Sequence, residues 1–379
     1  MRESVLSVFD VAPRRVGGVE MLAAAVSRSL VSAGWRSVLA FPKKPTPLVE
    51  QFLAASGAEI LATPEIFAGG IAGARALSSL VGKTKAGTVH LSFTPLVGPL
   101  PWACRVGGAK AVYFTDQGSR SQDDKPRPAG ALKKFVARCL TAPYKKVFCV
   151  SGFVKQDLQT RGYLADEQLT ILYNCIDFER LAGAAKGAEF RRKFGIGADK
   201  VLVSQVCWLT PEKGVEDFIR AAAIAKAQEP NVHFCLAGDG PRSADYMQLA
   251  KDIGLEQALT FTGLIENPVA DGLYAASDFV CLLSRWQEAC AFVISESMAH
   301  GKPMVVTRVG GNPELIDDGV TGFVVPPQSP AEAAQRILQL CRDQSLRSSL
   351  GRASFDKASR QFNLKDNVAR LVACYGVGN

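Results

Sequence analysis

Two glutamates in the second half of the chain have the type and spacing to bind a sugar nucleotide. Glu288 follows a short apolar run, and Glu296 comes eight residues later in a pattern that predicts a helix. A carboxylate accepts hydrogen bonds from vicinal hydroxyls, and a helix N-terminus attracts a diphosphate. Because Glu296 lies in a largely apolar helix, its burial would require partners. The spacing alone is equally compatible with two glutamates that face solvent.

A pair of glycines near the N-terminus is a second candidate for phosphate binding. Gly17 and Gly18 follow the first apolar run and precede a helical pattern. Glycines at such a turn let the backbone approach an anion. The segment lacks the full G-x-G-x-x-G pattern, which disfavours a nicotinamide cofactor. A plain tight turn is the alternative interpretation.

Alternating strand and helix patterns must position these residues. Short apolar runs alternate with amphipathic segments twice along the chain, with a polar Gly/Ala-rich break near 181–200. This alternation is typical of parallel sheets covered by helices on both faces. It predicts an α/β fold with two Rossmann-like doubly wound domains, at 1–185 and 186–361, and a C-terminal helix at about 362–379 that packs back on the first. Ligands of such sheets bind at the carboxyl ends of the strands.

The predicted strands are 5–11, 37–41, 88–91, 110–114, 146–150, 201–206, 232–237, 259–261, 279–283 and 303–306.

Composition narrows the class of protein. The 379 residues carry a net charge of +8, and they are 47% hydrophobic and 21% charged, which excludes a disordered chain. No apolar run approaches the roughly 20 residues of a membrane span, and the N-terminus is charged too early for a signal peptide. Ten scattered cysteines without a C-x-x-C pair favour reduced core residues over a zinc site. We therefore expect a cytoplasmic protein.

The excess of positive over negative charge lies in the first half of the chain. Residues 1–185 hold 23 basic and 14 acidic residues, whereas residues 186–379 hold 21 and 22. An apolar stripe at helical spacing lies within the densest basic segment, where it predicts either an ordinary solvated helix or a contact with an anionic membrane surface or a lipid-diphosphate acceptor. Nucleic acid is disfavoured, since no reader motif occurs. The basic residues are Lys125, Arg127, Lys133, Lys134, Arg138, Lys145 and Lys146, and the stripe is Leu132, Phe135, Val136 and Cys139.

The second half resembles a known family. The glutamate pair, followed by Ser297-Met298-Ala299-His300-Gly301-Lys302-Pro303, is similar to the E-x7-E signature of the retaining GT-B glycosyltransferases, specifically family four. The segments 310–316, 318–323, 210–214, 237–241 and 174–177 fall in the family's order, and 17–20 matches more loosely. The resemblance implies the GT-B fold, in which two Rossmann-like domains face each other across a cleft.

The resemblance also implies roles for individual residues. Glu296 would hold the ribose hydroxyls of the donor, and Glu288 would touch the transferred sugar. Lys213 would neutralise the departing diphosphate. The backbone amides of Ala291, Phe292 and Val293 would meet the diphosphate or the sugar.

Three further positions complete the implied donor site. Gly18, with Gly17, would let the N-terminal loop close over the phosphates, and Ile265 lies where the family's backbone reads the base. No divalent metal and no other cofactor are expected, because the chain has no Asp-x-Asp motif and Lys213 with a helix dipole would take the metal's role.

Two departures from the family pattern bear on activity. Trp208 stands where the family has an arginine that shares the diphosphate, and an indole carries no charge. Either Arg14, Arg15 or Arg285 substitutes, or affinity for the diphosphate is reduced. Where many members have a histidine this chain has Thr115-Asp116, so Asp116 is a candidate base on the acceptor side.

The predicted function is therefore a retaining, metal-independent transfer of a hexose-type sugar from a nucleotide diphosphate sugar to a hydroxyl of a glycan or glycolipid in cell-surface polysaccharide synthesis. The alternatives are a weakly active or non-catalytic nucleotide-sugar binder, which Trp208 motivates, and a GT-B nucleotide-sugar epimerase or hydrolase. Neither the base and sugar of the donor nor the acceptor can be read from these residues, because they contact groups that all such donors share.

Overall fold

The computed structural model describes residues 3–121, 123–124, 127–181 and 183–377. Lys125, part of the predicted basic segment, lies outside this range. The strands of the described chain are β1 Ser4–Phe9, β2 Arg36–Phe41, β3 Glu59–Ala62, β4 Thr88–Ser92, β5 Ala111–Asp116, β6 Tyr144–Cys149, β7 Leu169–Ile171, β8 Val201–Val206, β9 Val232–Ala237, β10 Leu259–Gly263, β11 Phe279–Leu282, β12 Met304–Thr307 and β13 Gly322–Val325.

The α-helices in the same described ranges are α1 Gly18–Ser32, α2 Pro47–Ala54, α3 Gly70–Thr84, α4 Leu100–Val106, α5 Ala131–Thr141, α6 Gly152–Arg161, α7 Ala184–Lys193, α8 Val215–Gln228, α9 Ser243–Asp252, α10 Leu273–Ala276, α11 Phe292–Ala299, α12 Asn312–Leu315, α13 Pro330–Arg342, α14 Gln344–Gln361 and α15 Leu364–Tyr375. Short 3-10 helices occur between them, including Pro211–Lys213.

The first compact unit is built on a parallel sheet. Its described strands pair in the order β3-β2-β1-β4-β5-β6-β7. The central strands are buried because both faces of the sheet are covered, which explains their nearly continuous apolar sequences. The order reverses between β1 and β4, which makes the loops after these strands the predicted place for a ligand.

The C-terminal helix α15 belongs to this first unit, where it packs against α1. Its last residue, Tyr375, is buried and hydrogen-bonds through its hydroxyl to Nδ1 of His90 on β4. The other ring nitrogen, Nε2, lies 2.7 Å from the hydroxyl of Thr115 on β5. Burial lowers the pKa of His90 to about 3, so the ring is neutral and has a structural role.

The second compact unit repeats the architecture. Its described strands are all parallel and pair in the order β10-β9-β8-β11-β12-β13. A core of aliphatic and aromatic side chains lies between this sheet and the helices α8 and α13, with Phe218 and Phe234 packed edge to face. The two sheets therefore give the α/β, doubly wound class that the alternating pattern predicted.

The units are divided differently from the predicted domains. The described residues of Met1–Gly118, Lys125–Tyr173 and Leu364–Asn379 form the first unit, and those of Ser119–Asp124 and Asn174–Asn363 form the second. The division falls before residue 185 because Ile176 donates its backbone N–H to the carbonyl of Phe362 and Phe178 packs on Phe355.

Some local predictions are corrected by the structure. The polar break near 181–200 contains the helix α7, and β3, β7 and β13 were not predicted as strands. β3 is a four-residue edge strand with partly exposed side chains, so it lacks the apolar run of a buried strand. β1 ends at Phe9, earlier than the predicted end at 11.

Candidate functional site

Glu288 lies in the loop between β11 and α11, where its side chain is buried but fully hydrogen-bonded. Its Oε1 accepts hydrogen bonds from Nζ of Lys213 at 2.6 Å and from the hydroxyl of Ser284 at 2.5 Å. Its Oε2 lies 3.4 Å from the hydroxyl of Ser119. The carboxylate is therefore held in one orientation, beside a cation that is itself about one quarter exposed.

Two glycines bring the backbone segments of this site together. Gly214, directly after Lys213, has φ of 61°, and a Cβ there would lie 1.7 Å from the carbonyl oxygen of Leu283. Gly310 has φ of 52°, and its Cβ would lie 2.1 Å from the carbonyl oxygen of Glu288. Only glycine satisfies both the left-handed conformation and the close approach. These positions fix where Lys213 and Glu288 can meet.

A buried glutamine hydrogen-bonds to both backbone segments, the one that holds Lys213 and the one that precedes Glu288. Gln205 on β8 donates its Nε2 hydrogen to the carbonyl of Lys213 at 3.1 Å and accepts the N–H of Leu283 at 3.2 Å. Sequence reasoning missed Gln205, Ser284 and Ser119. The signal for Gln205 was a polar residue inside the apolar run of β8, because such a residue needs partners when it is buried.

The helix α11 presents its N-terminus next to this loop. It begins at Phe292 after Ala291, and Ala291 and Val293 are only partly buried. The first amides of a helix point out of its N-terminal end and attract anions. The predicted amides of Ala291, Phe292 and Val293 are thus on one helix end, in the same segment as Glu288.

Glu296 lies on α11 and is buried. The hydroxyl of Tyr274, a fully buried residue of α10, donates to Oε2 of Glu296 at 2.5 Å. The ring of His300 packs on Tyr274 with centroids 5.4 Å apart, and its Nδ1 donates to the carbonyl of Glu296 at 2.8 Å. The partner that a buried acid requires is therefore Tyr274, which no motif in the sequence indicated.

The loops after β8, β9 and β10 lie against one another. Leu209 donates its N–H to the carbonyl of Asp239 at 2.9 Å, and Gly238 donates to the carbonyl of Gly263 at 2.9 Å. Trp208 is 49% exposed on the first of these loops, and Ile265 is half-buried after the third. The carboxyl ends of three neighbouring strands thus form one edge, as the predicted parallel sheet requires.

Arg285, one of the three cations considered as a replacement for the arginine, is paired with a carboxylate of its own unit. Its guanidinium makes two hydrogen bonds to the carboxylate of Asp217, at 2.8 and 2.7 Å, and hydrogen bonding with Asp217 raises its pKa. Arg285 is therefore committed to a structural ion pair. Arg14 and Arg15 are exposed residues of the first unit.

The cysteines beside this site are thiols without nucleophilic character. Burial raises the pKa of Cys207 to about 12 and that of Cys290 to about 12. All ten cysteines are free. Within the described residues, no group of three or more His, Cys, Asp or Glu side chains is arranged to hold a metal ion.

The remaining predicted site residues belong to the first unit. Gly17 precedes α1 and donates its N–H to Oε2 of the buried Glu20 at 3.0 Å, while Gly18 starts the helix. Burial raises the pKa of Glu20, and its hydrogen bonds to backbone N–H groups oppose that rise. Asp116 ends β5 and accepts the N–H of Gly118 at 3.1 Å.

Comparison with known proteins identifies the family. A model of the family described as "Glycosyl transferases group 1" matches residues 187–357, and the model "Glycosyltransferase Family 4" matches residues 16–180. Together these two ranges span most of the chain and meet near the division between the units. The chain therefore belongs to the group 1 glycosyltransferases of family four.

Two curated relatives share parts of the sequence. The alpha-D-kanosaminyltransferase of Streptomyces kanamyceticus is 32% identical over 66% of this chain and 64% of its own length. The N-acetyl-alpha-D-glucosaminyl L-malate synthase of Bacillus anthracis is 30% identical over 55% of this chain and 54% of its own length. The matched region thus spans less than two thirds of either relative.

Solved structures share the fold at low sequence identity. A glycosyltransferase from Rickettsia africae superposes with a TM-score of 0.83 and 18% identity, over 99% of this chain and 98% of that one. HepE from Anabaena, solved in complex with UDP, gives a TM-score of 0.78 and 20% identity over 99% of this chain and 100% of its own. These likenesses establish the GT-B fold.

Proposed function

We propose that the protein is a retaining, metal-independent glycosyltransferase that moves a hexose-type sugar from a nucleotide diphosphate sugar to a hydroxyl acceptor. The observation that carries this proposal is the contact between Lys213 and Glu288 beside the N-terminus of α11. A cation and a carboxylate in contact, next to a helix N-terminus, can bind the diphosphate and the sugar together. The HepE structures with UDP and with UDP-glucose support a uridine donor as the first candidate.

In the proposed reaction, the bond between the anomeric carbon and the diphosphate oxygen breaks as a bond from the acceptor oxygen forms on the same face of the sugar. The electron pair of the broken bond stays on the diphosphate, and the ammonium of Lys213 with the amides of α11 stabilises that charge. The acceptor proton passes to the departing phosphate oxygen, or to Asp116 if this residue acts as the base.

Glu296 fixes the donor and not the reacting atoms. Its carboxylate accepts hydrogen bonds from the ribose hydroxyls, while Tyr274 holds one of its oxygens. A carboxylate has enough acceptor sites for both interactions. Ile265 contacts the base, and Gly17 and Gly18 remain the candidate phosphate-binding turn of the first unit.

The acceptor is proposed to be a glycan or a lipid-linked glycan of cell-surface polysaccharide synthesis, reached at the cytoplasmic face of an anionic membrane. The excess of basic residues in the first half of the chain supports an anionic acceptor or surface. A weakly active nucleotide-sugar binder is the second candidate, because Trp208, which is exposed on the loop after β8, carries no charge to bind a diphosphate.

A panel of UDP, GDP and ADP sugars in a thermal-shift measurement tests the donor, since a ligand that binds the folded state raises its melting temperature. Release of the nucleoside diphosphate is then measured with and without glycan acceptors. Acceptor-dependent release supports the transferase. Binding without turnover supports the binder, release without acceptor supports a hydrolase, and the absence of any stabilising donor contradicts the proposal.

A further inference from the structure

The helix α5 presents its large apolar side chains to solvent. Leu132 is 77% exposed, Phe135 is 66% exposed and Val136 is 47% exposed, whereas the buried residues of this helix are the small Ala137 and Thr141. A surface helix of a globular protein normally turns its large apolar residues to the core. The stripe noted in the sequence is therefore an outward-facing surface and not part of a core.

The neighbouring helices extend this surface. Trp102 of α4 donates its indole N–H to the carbonyl of Cys139 on α5 at 2.9 Å, which ties the two helices together. Ile71 of α3 and Val106 of α4 are 71% and 79% exposed, at the rim of a groove of about 660 Å³ between these helices. We call Ile71, Trp102, Val106, Leu132, Phe135 and Val136 the apolar patch.

The helices that carry the apolar patch have charged residues of a single sign. No acidic residue occurs in the helices α3, α4 and α5, nor in the sequence between Glu65 and Asp116 or between Asp124 and Asp157. The three helices carry six basic residues, and Lys145 and Lys146 follow closely. The basic residues of the helices, which we call the basic rim, are Arg75, Lys83, Arg105, Lys133, Lys134 and Arg138.

An apolar surface on helices that contain basic and no acidic residues matches an anionic membrane. Contiguous exposed apolar patches mark interaction sites, whereas single exposed apolar residues are common. A protein partner would bury the same apolar side chains, but it would have to supply acidic residues opposite the six basic residues of the helices. Anionic lipid head groups supply that charge, and the acyl boundary receives the apolar side chains. In the part of the chain that the structure describes, no helix has the length and apolarity needed to cross a bilayer.

We infer that the apolar patch and its basic rim dock the first unit on the surface of a membrane that contains anionic lipids. The side chains of α5 lie in the head-group region, and those of α3 and α4 flank them. This inference deepens the proposed function, on which its role in reaching a lipid-linked acceptor rests. The docking surface itself depends only on exposure and charge.

Vesicle co-sedimentation of the full chain tests the inference. We expect binding to vesicles of phosphatidylcholine with phosphatidylglycerol, weak binding to phosphatidylcholine alone, and a loss of binding as salt screens the charges. Leu132→Ser with Phe135→Ser removes two inserted side chains and should weaken binding at least about tenfold. Arg75→Glu with Lys133→Glu should also weaken it at least about tenfold and reduce its salt dependence.

Matched control variants lie on exposed positions of the second unit. Met247→Ser with Val320→Ser removes two exposed apolar side chains, and Arg192→Glu with Lys251→Glu reverses two exposed charges. Both controls should bind the anionic vesicles like the unmodified chain. Equal binding by all variants, no binding to anionic vesicles, or a dimer that is lost in Leu132→Ser with Phe135→Ser in place of vesicle binding would each overturn the inference.

Donor binding distinguishes failure of this inference from failure of the proposed function. The thermal shift with nucleotide sugars needs no vesicles, so a stabilising donor without vesicle binding rejects only the docking surface. Vesicle binding without any stabilising donor leaves the surface intact and rejects the transferase.

Discussion

The ammonium of Lys213 lies 2.6 Å from Oε1 of Glu288, although the two residues are 75 positions apart in the chain. The short distance and the burial of Glu288 make the pair a strong charge-assisted hydrogen bond. A departing diphosphate would compete with Glu288 for the same ammonium. In the proposed reaction, the pair would keep Lys213 in place until the negative charge develops.

The substitution Lys213→Ala should lower kcat by about 10²–10³, the effect of removing one donor that stabilises a developing anion. Release of the nucleoside diphosphate at saturating donor and acceptor measures it. Lys251→Ala, at an exposed position of the same unit, should keep full activity. Unchanged turnover in Lys213→Ala would show that another group stabilises the leaving diphosphate.

The substitution Glu296→Ala should weaken donor binding by about a hundredfold, because it removes hydrogen bonds from hydroxyls to a charged group. Tyr274→Phe should weaken binding less, by about fivefold, since it only releases the carboxylate from the contact at 2.5 Å. Calorimetric titration with the donor selected in the thermal-shift panel measures both. Equal affinity of Glu296→Ala and the unmodified chain for the donor would contradict the assignment of this residue to the ribose.

The substitution Trp208→Arg should strengthen binding of the nucleoside diphosphate by about tenfold, because a guanidinium adds a charged donor where the indole has none. Val320→Arg places the same charge on an exposed position of the same unit and should have no effect. If both variants bind like the unmodified chain, Trp208 does not occupy the position that the family gives to arginine.

The substitution Gly214→Ala should destabilise the chain by about 3 kcal/mol or more, since its Cβ would lie 1.7 Å from the carbonyl oxygen of Leu283. Gly254→Ala is the matched comparison: its φ is also positive, at 73°, but no atom lies within 4 Å of the added Cβ. It should cost only about 1 kcal/mol. Urea unfolding of both variants measures the difference, and equal costs would contradict the close approach.

The neutral His90 should make the first unit less stable in mild acid. The pKa of His90 is about 3 in the folded chain, against 6.5 for an unperturbed histidine, so the unfolded chain binds more protons between these values. The contribution of the neutral His90 to the free energy of unfolding is fully present above pH 6.5 and decreases as the pH falls towards 3. At pH 5 the loss amounts to about 2 kcal/mol.

Thermal unfolding at pH 7.5 and pH 5 measures this effect, with His90→Gln as the comparison. The variant should lose less stability between the two pH values than the unmodified chain does. Burial also lowers the pKa of His233 and of His300, so some pH dependence will persist in the variant. An identical pH dependence in both proteins would mean that folding does not lower the pKa of His90.

Most strands of this fold are encoded in local sequence, whereas other elements depend on contacts between distant segments. The apolar runs predicted most strands because a buried parallel strand is apolar along its whole length. The short edge strand β3 was not predicted, since its side chains are partly exposed and it is held by pairing with β2. The helix α7 was not predicted, because its polar, Gly/Ala-containing sequence resembles a linker between domains.

The sequence by itself determined the fold class and the family, and it singled out Glu288, Glu296 and Lys213 as candidate site residues, because these depend on residue order and local spacing. Only the tertiary structure decided which groups touch them. Gln205, Tyr274 and the glycines that permit close backbone approach act across distant segments, and no local pattern encodes such contacts.

The tertiary structure also decided the meaning of the stripe on α5. Helical spacing alone cannot tell whether an apolar face is buried or exposed, because that depends on what packs against it. The structure buries Ala137 and exposes Phe135. The basic residues of α5, which belong to the basic first half of the chain, therefore lie on the same helix as an exposed apolar stripe.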